Sequence, residues 1–328
     1  MGEEERKTQP TLSLFNTSQY DMNTFSGRLK HFASIADPRL LLVSRSEAHW
    51  ANTVIQHAKD HKDVSAADFW RAQNIKSTYV NHDTGQPISA LASFPTFLPA
   101  NTVLLTYLLT TRSIPSIISS QVLYHAYNTT FHMSNKSDRY YVTDKQLQDH
   151  FFSNCLTSVT TAVALTLWAN RTKIIKDEIT RQRVRSVVPF ISLVGANIYS
   201  TFALQRDELN NGIDITDEEG NLIGKSKAAG SKSIRECILE RTLMIGPVAL
   251  VPHIVVDYFE NKRNLFVSKP HFKIPIFLSS LVLCMFVYIP VCYSLLSPQG
   301  RISVSSVEEE FRKEARTGDE YFYYEKHL

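Results

Sequence analysis

Formal charge is missing from long stretches of this 328-residue chain: among others, no Lys, Arg, Asp or Glu occurs over 84–111, 150–170, 186–205, 242–256 or 274–300. The first 83 residues, by contrast, carry charge at ordinary density. Mean hydropathy is only −0.16, so the apolar residues, 43% of the chain, are gathered into blocks. A spanning helix needs about 20 mostly apolar residues, because charges and unpaired backbone groups are costly in ~30 Å of hydrocarbon. Four of the windows reach that length. The pattern excludes an ordinary soluble fold and predicts an all-α membrane protein.

Other absences narrow the function. Cys155, Cys237, Cys284 and Cys292 show no CxxC spacing, so no zinc or disulfide framework is indicated. A net charge of +3, with 35 basic against 32 acidic residues, gives no global case for nucleic acid. The start, MGEEERKTQP, has neither the apolar core of a secretory signal nor the acid-poor character of a transit peptide, so targeting is expected to be internal. No long internal repeat is visible. The run Gly220-Asn221-Leu222-Ile223-Gly224-Lys225-Ser226 has one residue too few between its glycines for a phosphate loop. His57 and His61, with His49 two turns earlier, lack a completing metal ligand. No Ser-His-Asp or Cys-His set assembles from local motifs. No enzyme, metal or cofactor is expected.

What is present divides into three regions. Residues 1–83 read as a polar helical N-terminal region: Asp37-Pro38 has the form of a helix start, and His49, Trp50, Val54, Ile55 and Ala58 recur at helical spacing. Residues 84–300 form the transmembrane domain, with spans at about 91–111, 152–170, 186–205, 242–257 and 274–296. The fourth window is short and holds Pro247 and Pro252, which by itself fits a re-entrant or broken helix. Ser113 to Asn135 lacks charge but contains His125, Asn128, Thr129, Thr130, His132 and Asn135, too many polar groups to face lipid. It reads as an amphipathic segment lining a cavity. Asn211-Gly212 and Glu219-Gly220 mark turns of a small extramembrane β-hairpin. Residues 301–328 read as a charged C-terminal tail, partly disordered.

Within the windows, Asn101, Asn154, Asn170, Asn197 and Ser200 must turn inward, since lipid offers no hydrogen bonds. No charge lies mid-window, which favours a neutral or zwitterionic solute over an ion. Arg171, Lys173, Lys176, Arg181, Arg183 and Arg185 crowd the loop between the second and third windows. The loop from Arg206 to Arg241, on the opposite face, is also basic, so the two do not set orientation.

Taken in order, the residues resemble the sideroflexins, multi-span proteins of the mitochondrial inner membrane. Gly27-Arg28, His31-Phe32 and Asp37-Pro38-Arg39 look like the family's N-terminal signature, and Phe69-Trp70 precedes its HPDTG motif, here Asn81-His82-Asp83-Thr84-Gly85. Asn128-Thr129-Thr130 stands where the family usually has Asn-Gln-Ser. Pro189-Phe190, Ala196-Asn197, Arg206 with Glu208, Gly220-Asn221, Arg241 and Pro247 follow in family order and spacing. The resemblance promotes the fourth window to a true span, giving about five. It implies transport of serine or a similar small neutral amino acid, supplying one-carbon metabolism. Asn128, Asn197, Arg206, Arg241, Pro247 and Pro252 are the expected pathway residues. The changes at Asn81-His82 and Asn128 motivate the alternative, a structural or assembly subunit that packs against respiratory-chain complexes.

Overall fold

In hydrocarbon the backbone has no water to bond, so each segment must satisfy its own N–H and C=O groups, as a helix does. The computed structural model describes residues 19–21, 24–59, 64–81, 88–135, 144–263, 265–295, 299–314 and 320–326. Three helices precede the bundle: α1 (Phe25–Ile35), α2 (Arg45–Lys59) and α3 (Ala66–Tyr79). α2 and α3 close on Ala51, Ile55, Ala72 and Ile75. His49 and His57 are exposed on α2, and His61 lies outside the described residues.

The bundle follows, with α4 (Phe94–Thr110), α5 (Ile114–Ser134), α6 (Asp144–Arg171) and α7 (Glu178–Leu204). After the short α8 (Arg206–Asn211) come α9 (Lys227–Asp257), α10 (Leu265–Ser268), α11 (Lys273–Leu283) and α12 (Ile289–Leu295). Among the described residues four helical runs are long and apolar enough to cross a membrane: Leu147–Arg171, Glu178–Ala203, Lys227–Asn261 and Pro270–Leu295. α4, with 17 residues, is about 25 Å long and makes the shorter fifth. Apolar side chains such as Val103, Phe152, Leu156, Ile254 and Leu283 stand exposed around the outside, an arrangement that lipid stabilises and water does not.

α5 returns antiparallel to α4. Tyr107 Oη lies 2.7 Å from Ser119 Oγ, Asn128 Nδ2 donates to Asn101 Oδ1 at 3.2 Å, and Asn135 Nδ2 donates to the Ala92 carbonyl at 2.7 Å. The pair therefore begins and finishes at one end of the bundle. That terminal end also receives α12, where Arg28 Nε donates to the Ser294 carbonyl at 2.7 Å and Phe32 packs on Tyr293. The opposite, loop end consists of the connections 111–113, 172–177 and 258–272.

The sequence allowed a break at the fourth window, but α9 runs unbroken through both prolines. Pro247 has no N–H to give the Leu243 carbonyl; the Tyr288 hydroxyl donates to it instead at 2.7 Å. Tyr288 ends a π-helical turn, Cys284–Tyr288, between α11 and α12. In the same turn Cys284 Sγ reaches the Pro247 carbonyl at 3.8 Å. Packing of Leu193, Val248, Leu281 and Met285 surrounds this repair. Tyr288→Phe is expected to lower unfolding stability in detergent by about 1 kcal/mol. In a Pro247→Ala background the same change should cost far less, and equal costs in the two backgrounds would contradict the repair.

Outside the bundle, β1 (Ile213–Thr216) and β2 (Leu222–Ser226) form the expected hairpin. Gly220, at φ +84°, takes the left-handed turn position that favours glycine, and Asp217 Oδ1 accepts from the Glu219 and Asn221 N–H groups. Asn211-Gly212 ends α8 rather than making a turn of the hairpin. The segment read as a charged tail completes the sheet: β3 (Gln299–Ser303) and β4 (Tyr321–Glu325) give an antiparallel order β2-β1-β4-β3. Alternation in β4 buries Phe322 and Tyr324 with Ile215, Ile302 and Val307. Between these strands α13 (Glu309–Glu314) begins just after Glu308.

Glu308 ties this sheet to the membrane bundle. It accepts from Ser226 Oγ (2.7 Å) and from the Lys227 and Ala228 N–H groups (2.8 and 3.0 Å) at the start of α9. Burial opposes its ionisation, but those hydrogen bonds outweigh burial and hold the carboxyl below its ordinary range. A lowered carboxyl contributes stability above its unfolded value and loses it as pH falls through the folded one. Glu308→Gln should therefore raise hydrogen exchange in β3 and β4 at pH 7. Acidification below about pH 4 should bring the unaltered protein to the same exchange, and an unchanged exchange pattern would refute the tie.

Candidate functional site

α5 carries Ile117, Gln121, His125, Asn128 and His132 at spacings of four, four, three and four, so they form one stripe along the helix. The stripe faces the bundle. At its loop end Ile117 is sealed among Ala162 of α6 and Val188 of α7. One turn on, Gln121 Nε2 donates to Ser192 Oγ at 3.0 Å, and Ser192 Oγ donates to the Pro189 carbonyl. His125 is 7% exposed, Asn128 is half-buried, and His132 is exposed. Exposure therefore rises along the stripe from an apolar, closed loop end to a polar terminal end, the pattern expected of a vestibule.

Polar groups of the neighbouring helices line the same space. His150 of α6 shares its Nε2 between Asn154 Nδ2 (3.1 Å) and Ser200 Oγ of α7 (3.0 Å). Thr201 Oγ1 donates to the Asn197 carbonyl, and Arg241 Nη1 of α9 donates to Thr201 Oγ1 at 3.3 Å. Arg241 also stands close enough to His132, His150 and Tyr293 for its charge to act on them. Buried polar atoms without a protein partner gather here: Gln121 Oε1, His125 Nε2, His150 Nδ1, Asn154 Oδ1 and Asn197 Nδ2. A buried polar atom costs about 1–3 kcal/mol when unsatisfied, so these groups call for water or a polar solute.

The structure brings together three of the six expected pathway residues. Asn128 lies on the stripe, and Asn197 and Arg241 join through Thr201. Arg206 is exposed on α8, outside the bundle. Pro247 and Pro252 shape α9 against α11. Asp37 and Arg39 pair with each other at 2.6 Å in an exposed turn whose start Asp37 caps, and this pairing holds the Asp37 carboxyl below its usual value. Pro38 opens that turn. Asp83, Thr84 and Gly85, with His82, lie outside the described residues. Asn81 anchors α3 to the bundle by donating to the Ser134 carbonyl at 3.1 Å. Asn170 faces out, accepting from Arg185 Nε at the loop end.

Arg241, expected on the pathway, meets Thr201 because α9 runs unbroken. One feature was missed: His150, at the edge of the apolar core of α6, showed no signal of its own. The stripe itself was legible as a spacing, because Gln121, His125, Asn128 and His132 recur every three or four residues. In a background with the four native cysteines replaced, cysteine at 132, 128, 125 and 121 should react with water-soluble thiol reagents at successively lower rates. Cysteine at the outward positions 118, 122 and 123 should stay unreactive. Equal reactivity on both faces would rule out the vestibule.

Comparison with known proteins adds an independent line. A family model described as sideroflexins matches residues 15–328. A sideroflexin from Dictyostelium discoideum is 29% identical over 305 residues, covering 90% of this chain and 91% of its own. Sideroflexin-3 of Bos taurus is 27% identical, covering 94% and 96%, and sideroflexin-1 of Ovis aries is 26% identical, covering 91% of each. No solved structure matches significantly.

Proposed function

The chain belongs to the sideroflexin family, and from that premise we propose that it carries serine or a similar small neutral amino acid across the mitochondrial inner membrane. Transport proceeds by alternating access, without covalent chemistry. The observation that carries this reading is Arg241. Among the described residues it has no carboxylate partner, although Glu240, its neighbour on α9, is bound to Lys326 at 2.8 Å. An unpaired charge inside a membrane bundle is costly, and an entering carboxylate supplies the missing counter-ion with charge-assisted hydrogen bonds.

The rest of the vestibule suits the remainder of a zwitterion. The amides of Asn154 and Asn197 and the ring of His150 each hold a buried atom without a protein partner, available to an ammonium group and a side-chain hydroxyl. With no further charge along the stripe, a cationic or anionic side chain would enter unpaired. The Ile117–Ala162–Val188 plug blocks the loop end, so a transport cycle must part that cluster while the terminal end narrows around His132.

Proteoliposomes of the purified protein should take up labelled serine saturably, and uptake no greater than in protein-free liposomes would overturn the carrier reading. Arg241→Gln should lower the uptake efficiency roughly 10- to 100-fold, the equivalent of one charge-assisted hydrogen bond at about 1.5–3 kcal/mol. Arg241→Lys should retain part of it. Ethanolamine, which is serine without its carboxylate, should compete poorly against the unaltered protein; strong competition would remove Arg241 from the recognition role.

A further inference from the structure

The two ends of the bundle differ in charge. Residues 112, 171–185 and 257–273, which make the loop end, hold eleven Lys and Arg against four Asp and Glu, a net of +7. The chain as a whole carries +3, so everything else sums to −4. On the outer surface of that end, α6 and α7 diverge into an open groove of about 340 Å³, walled by Leu165, Trp168, Val184, Val187 and Ile191. Arg183 stands at its mouth, held by Asp257 at 3.0 Å.

Local carboxylates are already committed. Asp177 caps α7 by accepting from the Thr180 N–H, and Glu178 faces Arg185 and Arg181 at 3.5 and 3.8 Å. Arg171, Lys173 and Lys176 are exposed and have no carboxylate partner among the described residues. Arg171 follows Trp168 by three positions and so shares its face of α6. Beside these cations Ile174 is 82% exposed and Trp168 50% exposed, the combination of apolar and cationic side chains that settles at the headgroup level.

We propose that the α6–α7 groove binds an acyl chain of an anionic phospholipid whose phosphate rests on Arg171, Lys173 and Lys176. A zwitterionic lipid would fill the groove equally well but would leave three like charges uncompensated. An anionic headgroup removes that repulsion, the reason juxtamembrane cations favour anionic lipid. The occupant also braces α6 against α7, the two helices whose Ala162 and Val188 close the vestibule plug.

The full-length protein, purified with phosphatidylcholine and offered phosphatidylglycerol of the same acyl composition, should retain phosphatidylglycerol at least tenfold better in native mass spectrometry. The triple variant R171Q/K173Q/K176Q should lose that preference. Val187→Trp, which fills the groove and leaves every charge in place, should reduce retention of both lipids. A matched triple at the terminal end, K30Q/K225Q/K227Q, should change nothing. Equal retention of the two lipids overturns the proposal, as does an equal loss in the terminal-end triple. Displacement of the lipid by glycerol phosphate alone would show a free phosphate site and overturn the role of the groove.

Discussion

Hydrocarbon supplies no hydrogen-bond partner, and that shortage governs each level of this molecule. It forces the buried segments into helices, and it forces each defect in a helix to find a repair from a neighbour. The Leu243 carbonyl, released by Pro247, takes the Tyr288 hydroxyl, and the π-helical turn at Cys284–Tyr288 is what aims that hydroxyl. Asn101 and Asn128 answer one another across the α4–α5 pair. The same constraint makes the unanswered groups informative, because an inward polar atom without a partner persists only where water or a solute reaches it.

Those unanswered groups lie on α5, α6 and α7, and exposure along α5 grades from a sealed apolar end to an open polar one. Ile117 and Gln121 are buried whereas His132 is exposed, so accessibility rises toward one end. Arg241 stands at that end, with no carboxylate partner among the described residues. In the proposed carrier, one fixed cation among neutral polar groups would distinguish a zwitterion from a bare cation.

Outside the membrane the chain ends cooperate. β4 reaches α9 through Lys326, which pairs with Glu236 at 3.0 Å and Glu240 at 2.8 Å, and Glu308 caps the same helix at its start. At the same end α1 is fastened to α12 through Arg28 and Ser294. The helix that carries Arg241 is therefore clamped by the sheet outside the bundle, which links the position of the charge to the folding of β3 and β4.

Sequence alone determined the membrane character, because charge exclusion over about 20 residues is a local and cumulative property that no tertiary contact can disguise. It also determined the hairpin, whose glycine turn is local, and the inward direction of Asn101, Asn154 and Asn197, which follows from the surrounding apolar residues. Tertiary structure decided what depends on partners distant in the chain. Strand β4 reads as a charged tail until Phe322 and Tyr324 meet Ile215 and Ile302. A window interrupted by two prolines reads as broken until Tyr288, forty-five residues away in sequence, takes the carbonyl that Pro247 released. Arg241 was expected on the pathway, yet the groups it meets were not legible, because a charge at the end of an apolar window says nothing of its neighbours. The unbroken helix brings it to Thr201, since depth in a bundle is set by packing and not by position along the chain.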